Sequence, residues 1–394
     1  MINTPLTPFA YHVPTEAVYG IGCFDTLGEH SRRLGTRPLL VTGKNSARRI
    51  GALDRALLQL EHASVYDAVE EDPGTDTCER GAALCRQLGC DHVIAIGGGS
   101  PIDVAKAIAG LAVNPGTCAD HFGSKGLQAG ALPVIAVPTT AGTGSEVTPY
   151  AVIVDSASRT KKTITGKAIF PRVALLDPEL TRHLPRAATI STGLDVLSQS
   201  MEGIVSKKST PVGDALALDA CRRVRAYLPR AAAHGEDDLE ARGQMLYASM
   251  LSGCVIAQSG TTLVHGMGYY YTLECGIPHG LANGLLLAPL FRHNARVAPE
   301  KVRTITEALL PHGTQGDVGP EEAVSRALRQ LFGELGVSSA ARDHGVSEVL
   351  LGGFAEDVAS DPYRFRNQIG EISREAILRF YRESFWGIDV SEHK

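Results

Sequence analysis

Residues 92–106 read HVIAIGGGSPIDVAK. The stretch 92–96 is almost wholly apolar and runs straight into glycines, which predicts a buried strand. Gly97, Gly98 and Gly99 follow, and Ser100 and Pro101 open a helix predicted over 101–113. Proline suits a first helical turn because its missing N–H would be unpaired there anyway. Glycines let the backbone approach a ligand closely, and a helix N-terminus offers free N–H donors to phosphate. Three consecutive glycines are costly in chain entropy. The loop therefore reads as a pyrophosphate cradle, although its spacing is not GxGxxG; the competing reading is a tight turn that binds nothing.

On either side the pattern repeats. Segments 38–42 (PLLVT), 63–66 and 133–137 (PVIAV) read as further strands, with helices expected over 45–60 and 75–88. Strand and helix in alternation argue for a parallel sheet covered on both faces. A second loop, PTTAGTGSEVT at 138–148, also leaves a strand and presents hydroxyls and glycines where ligands bind in such sheets. Residues 150–165 read as a hairpin and 173–176 as one more strand. Beyond Asp177-Pro178 the texture changes to long helical patterns, clearest over 213–228, 239–258, 300–310, 320–335 and 373–385. Two domains are expected, an α/β domain over 1–185 and an all-α domain over 186–394. That number fits 394 residues at roughly 100–200 per domain.

Composition narrows the function. With 38 basic and 43 acidic residues the net charge is −5, which argues against a nucleic-acid-binding surface. A hydrophobic share of 44% with 21% charged residues excludes disorder as the dominant state. No run approaches the roughly 18 apolar residues of a membrane helix, and the opening MINTPLTPFAYHVP has neither the basic region nor the apolar core of a signal peptide. The eight cysteines form no CxxC pair, so reduced thiols in a cytoplasmic protein are expected.

In the helical half, Asp195 and Gln199 of TGLDVLSQ stand four apart on one helical face. His265 lies in the apolar segment LVHGMGY and His279 in PHGLANG. One Asp with two His is a recognised divalent-metal set, suited to iron, zinc or manganese. A single histidine on an apolar helix is more often a core residue.

Taken in order, GGGSPIDVAK, PTTAGTGSEVT, LLDPEL (175–180), TGLDVLSQSMEG (192–203), LVHGMGY and PHGLANG resemble the signatures of the iron-activated (group III) alcohol dehydrogenase family. The likeness runs from about residue 15 to 390. It implies a dehydroquinate synthase-like architecture, with an α/β dinucleotide-binding domain, an all-α domain and the metal in the cleft between them. It implies that Gly98, Gly99, Ser100 and Asp103 hold the cofactor, with Thr139, Thr140, Thr143 and Lys162 lining its site. Asp195, His265 and His279 align with the family's metal ligands. The implied chemistry is hydride transfer between NAD or NADP and a small alcohol or aldehyde, assisted by Fe2+ or by Zn2+. Cytoplasmic location and a homodimer or larger assembly go with it. Specialised reductases of phosphonoacetaldehyde or maleylacetate type, and a non-catalytic nucleotide-binding relative, are the alternatives.

Three departures stand out. Gln199 occupies a position that is commonly His; a neutral amide oxygen is a weaker ligand, so looser metal binding, a different metal or a three-residue site completed by water is expected. Tyr269 replaces a second common His, leaving a proton relay or, with Tyr270 and Tyr271, a wall of the substrate pocket. Val41-Thr42-Gly43-Lys44 lacks the Asp of NAD-preferring relatives, so NADPH is expected to be tolerated.

Overall fold

The computed structural model describes residues 8–123, 126–158, 160–310 and 318–388. They form two compact units: one spans His12–Leu184, and the other comprises residues 8–11 with Pro185 onward.

The first unit is built on six parallel strands in the order β1-β8-β5-β4-β2-β3. These are β1 (Glu16–Tyr19), β2 (Pro38–Gly43), β3 (Ser64–Val69), β4 (His92–Gly97), β5 (Val134–Pro138) and, after a separate antiparallel hairpin of β6 (Tyr150–Asp155) and β7 (Thr160–Thr165), β8 (Val173–Leu176). Successive side chains of a strand point to opposite faces, and here both faces are buried. Leu39, Val41, Val93, Ala95, Val134 and Ala136 pack on one side with Cys78, Ala82 and Ile108, which come from α4 (Thr75–Gln87) and α5 (Gly99–Leu111). Leu40, Ile94, Ile96, Ile135 and Val137 pack on the other with Leu27, Leu53 and Ala56, from α1 (Leu27–Leu34) and α3 (Ala52–Gln59).

Two expectations need correction. The single helix over 45–60 is two, α2 (Ser46–Arg49) and α3, because Gly51 adopts φ +72° and starts the chain afresh. The edge strand β1 was not expected at all: it has four residues, mostly exposed, and carries no alternation to read.

The second unit is helical: α6 (Arg186–Val205), α7 (Pro211–His234), α8 (Leu239–Ser259), α9 (Leu263–Cys275), α10 (His279–Val297), α11 (Pro299–Leu309), α12 (Pro320–Leu335), α13 (Leu351–Ser360) and α14 (Arg374–Trp386). Helix α6 is its axis, packed against α7, α8 and α10 and buried on nearly every side from Thr189 to Val205. Small residues make this possible. A Cβ at Gly193 would lie 2.3 Å from Leu228, and one at Gly203 would lie 2.2 Å from Val255. Among the described residues no helix is long and apolar enough to cross a membrane.

Candidate metal centre and dinucleotide loops

Three helices bring the metal-type residues together. Asp195 sits mid-way along α6, His265 in the first turn of α9, and His279 opens α10 behind Pro278. One donor atom from each lies within 4.8 Å of the others. His265 Nε2 is 3.3 Å and His279 Nε2 3.9 Å from Asp195 Oδ1, with the two rings 5.4 Å apart. Asp195 is buried, whereas the His279 side chain is 41% exposed, so the cluster is reached from its side. Burial would raise the Asp195 carboxyl, but His265, His279 and Asn283 together hold it below the usual carboxylate range. Burial would likewise depress His265; Glu202 and Asp195 reverse this and push it up to about 10. The set is one carboxylate flanked by two imidazoles, and its donor chemistry fits a divalent transition metal.

Gln199 is hydrogen-bonded at both ends of its amide. Its amide N–H donates to Asp195 Oδ2 at 2.9 Å, and its carbonyl oxygen accepts from Ser252 Oγ at 2.9 Å. Two residues not singled out from sequence complete the surroundings. Asn283, one turn after His279, donates to Asp195 Oδ1 at 3.2 Å. Glu202, fully buried on α6, accepts from His265 Nδ1–H. Spacing carried a faint signal for both: 195, 199 and 202 are i, i+4 and i+7 on one helix, and 279 and 283 are i and i+4.

Tyr269 lies one turn along α9 from His265, and Arg364 stacks over it and over Tyr270, its guanidinium carbon 5.4 Å and 5.2 Å from the two rings. Tyr271 does not share that position. It is fully buried among Phe354 and Tyr381, with its hydroxyl on Ser384, and belongs to the core rather than to a substrate pocket. Consecutive helical residues diverge by about 100°, so three tyrosines in a row cannot line one wall.

In the other unit the two glycine-bearing loops leave adjacent strands at the same level, Gly97 pairing with Pro138 and Thr139 N–H donating to Gly97 O at 2.9 Å. A Cβ at Gly98 would come within 3.2 Å of the Thr140 side chain, and one at Gly99 within 2.8 Å of Thr143. Bare backbone is therefore required where the loops meet, and α5 opens at Gly98 with no side-chain cap. Ser100 follows in that first turn. Such an uncapped turn beside hydroxyls fits a phosphate group.

Asp103 and Lys162 both have partners within their own unit. The Asp103 carboxylate accepts from Ser145 Oγ–H and from Val152 N–H at 3.0 Å. Lys162 pairs with Asp155 Oδ2 at 2.7 Å across its own hairpin, over the Phe122 ring. A further residue of the same motif, Lys106, is fully buried, its ammonium donating to Ser145 Oγ (2.6 Å), Thr148 Oγ1 (3.1 Å) and Tyr150 O (2.7 Å). It pins α5 to the hydroxyl loop and to the hairpin at once.

Neighbouring Glu146 is 1% exposed, its Oε1 has no hydrogen-bond partner, and burial raises it to about 7 while Lys106 pulls the other way. Lys106 is itself lowered by burial to about 8, so it stays charged while Glu146 titrates. From pH 4.5 to about 7 the unfolded chain has released the Glu146 proton and the folded chain keeps it. Stability from this group therefore falls as pH rises through that window. Glu146→Gln should remove the slope and gain on the parent by up to about 3 kcal/mol between about pH 5 and about pH 8. Urea unfolding at both pH values checks this; identical pH dependence in the two proteins would refute it.

Sequence profiles of known families match both units. That of iron-containing alcohol dehydrogenases covers residues 14–178, and that of the family's C-terminal region covers 189–385. The chain belongs to the iron-containing alcohol dehydrogenase family. It is 34% identical to the 1,3-propanediol dehydrogenase of Citrobacter freundii, over 93% of this chain and 98% of that protein. It is 33% identical to the NAD-dependent methanol dehydrogenase of Bacillus methanolicus, over 86% and 90%. The crystal structure of a 1,3-propanediol oxidoreductase superposes with a TM-score of 0.90 at 32% identity, over 96% of this chain and all of that one. This iron-containing alcohol dehydrogenase is thus an oxidoreductase with the family fold, and the expected parallel-sheet and all-helical halves are both present.

Proposed function

We propose that the protein interconverts small alcohols and aldehydes with NAD(H) or NADP(H), with a divalent metal, Fe2+ or Zn2+, held by Asp195, His265 and His279. The carrying observation is that residues from three separate helices place their donor atoms within 4.8 Å of one another, on the residues the family resemblance marks. Bound there, the ion would supply Lewis acidity toward the substrate oxygen, and the nicotinamide would accept or give the hydride.

The chain's own part is positioning. Asp195 provides the carboxylate of the donor set, kept in place by the N–H groups of Gln199 and Asn283. Gln199 acts on Asp195 rather than as a ligand, which supports a three-residue site. Tyr269, clamped by Arg364 on the His265 side of α9, is assigned to proton relay through its hydroxyl. In the sheet-bearing unit, Gly98, Gly99 and Ser100 with Thr139, Thr140 and Thr143 form the pyrophosphate cradle. Asp103 and Lys162 hold the frame around it, through the hydrogen bonds and ion pair described above. On this reading 1–185 is the dinucleotide domain and 186–394 the metal domain. Eight free cysteines support a cytoplasmic setting, and an exposed edge strand beside exposed Ile21 supports a homo-oligomer.

The test is reduction of a panel of small aldehydes by the purified protein, metal-free and then loaded with Fe2+ or Zn2+, with each nicotinamide cofactor. No oxidation of either cofactor by any loaded form would overturn the proposal. Cofactor choice has its own check. Lys44 is exposed directly after β2 and follows Gly43, the position where the family resemblance places the Asp of NAD-preferring relatives. Lys44→Asp should repel a 2′-phosphate and shift the NADPH:NADH ratio of kcat/KM toward NADH by about tenfold, or 1.4 kcal/mol. An unchanged ratio would show that Lys44 faces solvent only.

A further inference from the structure

Glu202 does more than fill the interior of α6. It is fully buried, and its carboxylate is hydrogen-bonded to the start of α9. Oε1 accepts from Thr262 N–H (2.9 Å), Thr262 Oγ–H (2.7 Å) and His265 N–H (3.3 Å), while Oε2 accepts from His265 Nδ1–H. One carboxylate thus closes the first turn of a helix and grips the ring on that turn. A carboxylate has only acceptors to offer, so His265 must carry a proton on Nδ1. Its Nε2, 3.3 Å from Asp195 Oδ1, is thereby the nitrogen aimed into the cluster.

We propose that Glu202 is a positioning residue for the metal centre, fixing the tautomer and aim of His265 so that Nε2 is presented to the ion. This rests on the divalent-metal reading given above. Carboxylates behind metal-bound imidazoles raise ligand basicity and fix ring orientation, and losing one typically costs 10–100-fold in metal affinity. The geometry here binds that function to folding as well: Glu202 stands seven residues from Asp195 on α6, so one helix supplies both a ligand and the support of a second ligand.

Glu202→Gln keeps size and shape but breaks the pattern. Its single carbonyl can face either Nδ1 or the α9 amides, and its NH2 must meet an N–H donor in the second place or force Nδ1 to accept. Binding of Co2+ and Zn2+ to the purified protein, by chelator competition, should weaken by about 10–100-fold. Affinity within twofold of the parent would overturn the inference, whereas failure of the parent itself to bind either ion would overturn the metal reading instead.

Thr262→Val separates positioning from helix capping. It removes one bond to Glu202 and leaves Nδ1 alone, so it should lower thermal stability while leaving ion affinity within twofold. An affinity loss equal to that of Glu202→Gln would mean that Glu202 only caps α9. Should Glu202→Gln fail to fold, 15N-histidine NMR of the parent loaded with Zn2+ decides the matter, the His265 signals being assigned by their absence from His265→Gln. A proton on Nδ1 is expected; a proton on Nε2 would refute the proposal.

Discussion

Alanine at position 279 should abolish tight metal binding and lower kcat/KM for aldehyde reduction by at least about a thousandfold, the several kcal/mol that a Lewis acid contributes. The reason for choosing His279 is structural. Its side chain is 41% exposed, so its removal leaves little cavity. Asp195 keeps its N–H donors from Gln199 and Asn283. The melting temperature of the metal-free protein should therefore barely move. His265→Ala would be a poorer experiment, since it strands the fully buried Glu202 and confounds activity with a stability loss of about 1–3 kcal/mol. Metal content by elemental analysis, with steady-state rates on the same samples, checks the prediction; full activity in His279→Ala would remove His279 from the site.

The second large effect comes from a residue with no side chain. A Cβ at Gly280 would stand 1.8 Å from the Ser191 carbonyl oxygen and 2.8 Å from the Asp195 Cβ. Ser191 O is backbone within the central helix and cannot rotate away, so Gly280→Ala must force α10 and α6 apart. Overpacking of this kind costs about 3 kcal/mol or more when backbone must shift. It also separates Asp195 from His279, the neighbour of the substituted residue, so Co2+ affinity should fall together with stability. Gly284→Ala is the control one turn later. There the nearest atoms belong to the Leu194 and Phe332 side chains at 3.1 Å and beyond, so a shift of a few tenths of an ångström suffices, and a cost below about 1.5 kcal/mol is expected. Urea unfolding of the two variants side by side decides it. Equal stability of Gly280→Ala and the parent would show that the helices do not meet so closely.

What could be read from the chain and what could not follows from how local each signal is. Strand 92–97 and its glycines declare themselves within fifteen residues, because burial, loop and helix start are all sequence neighbours. The same holds for the hydroxyl loop. Helix α6 was harder: it is apolar and small on nearly all sides, so it has no stripe whose period could be recognised, and only Asp195 and Gln199 marked it. Spacing puts Glu202 on the Asp195 side of α6, but its role depends on contacts to residues about sixty positions away at the start of α9. Gln199 shows the same limit. Its distance from Asp195 followed from helical geometry, but which end of its amide faces the cluster depends on Ser252 of α8. The roles of Asp103 and Lys106 were likewise hidden, because their partners lie about forty residues away in the loop and hairpin that follow.

The burial of α6 has a consequence for how the site moves. Backbone amides in a helix enclosed by α7, α8 and α10 reach water only when the surrounding bundle opens, so their exchange with deuterium should be among the slowest in the protein. Asp195 and Glu202 ride on that slowest segment. His279 heads a helix whose first turn is partly exposed, and so belongs to a faster class. The cluster is thus held by a stiff half and a more yielding half, and ligand exchange should proceed through excursions of the His279 turn while α6 stays closed.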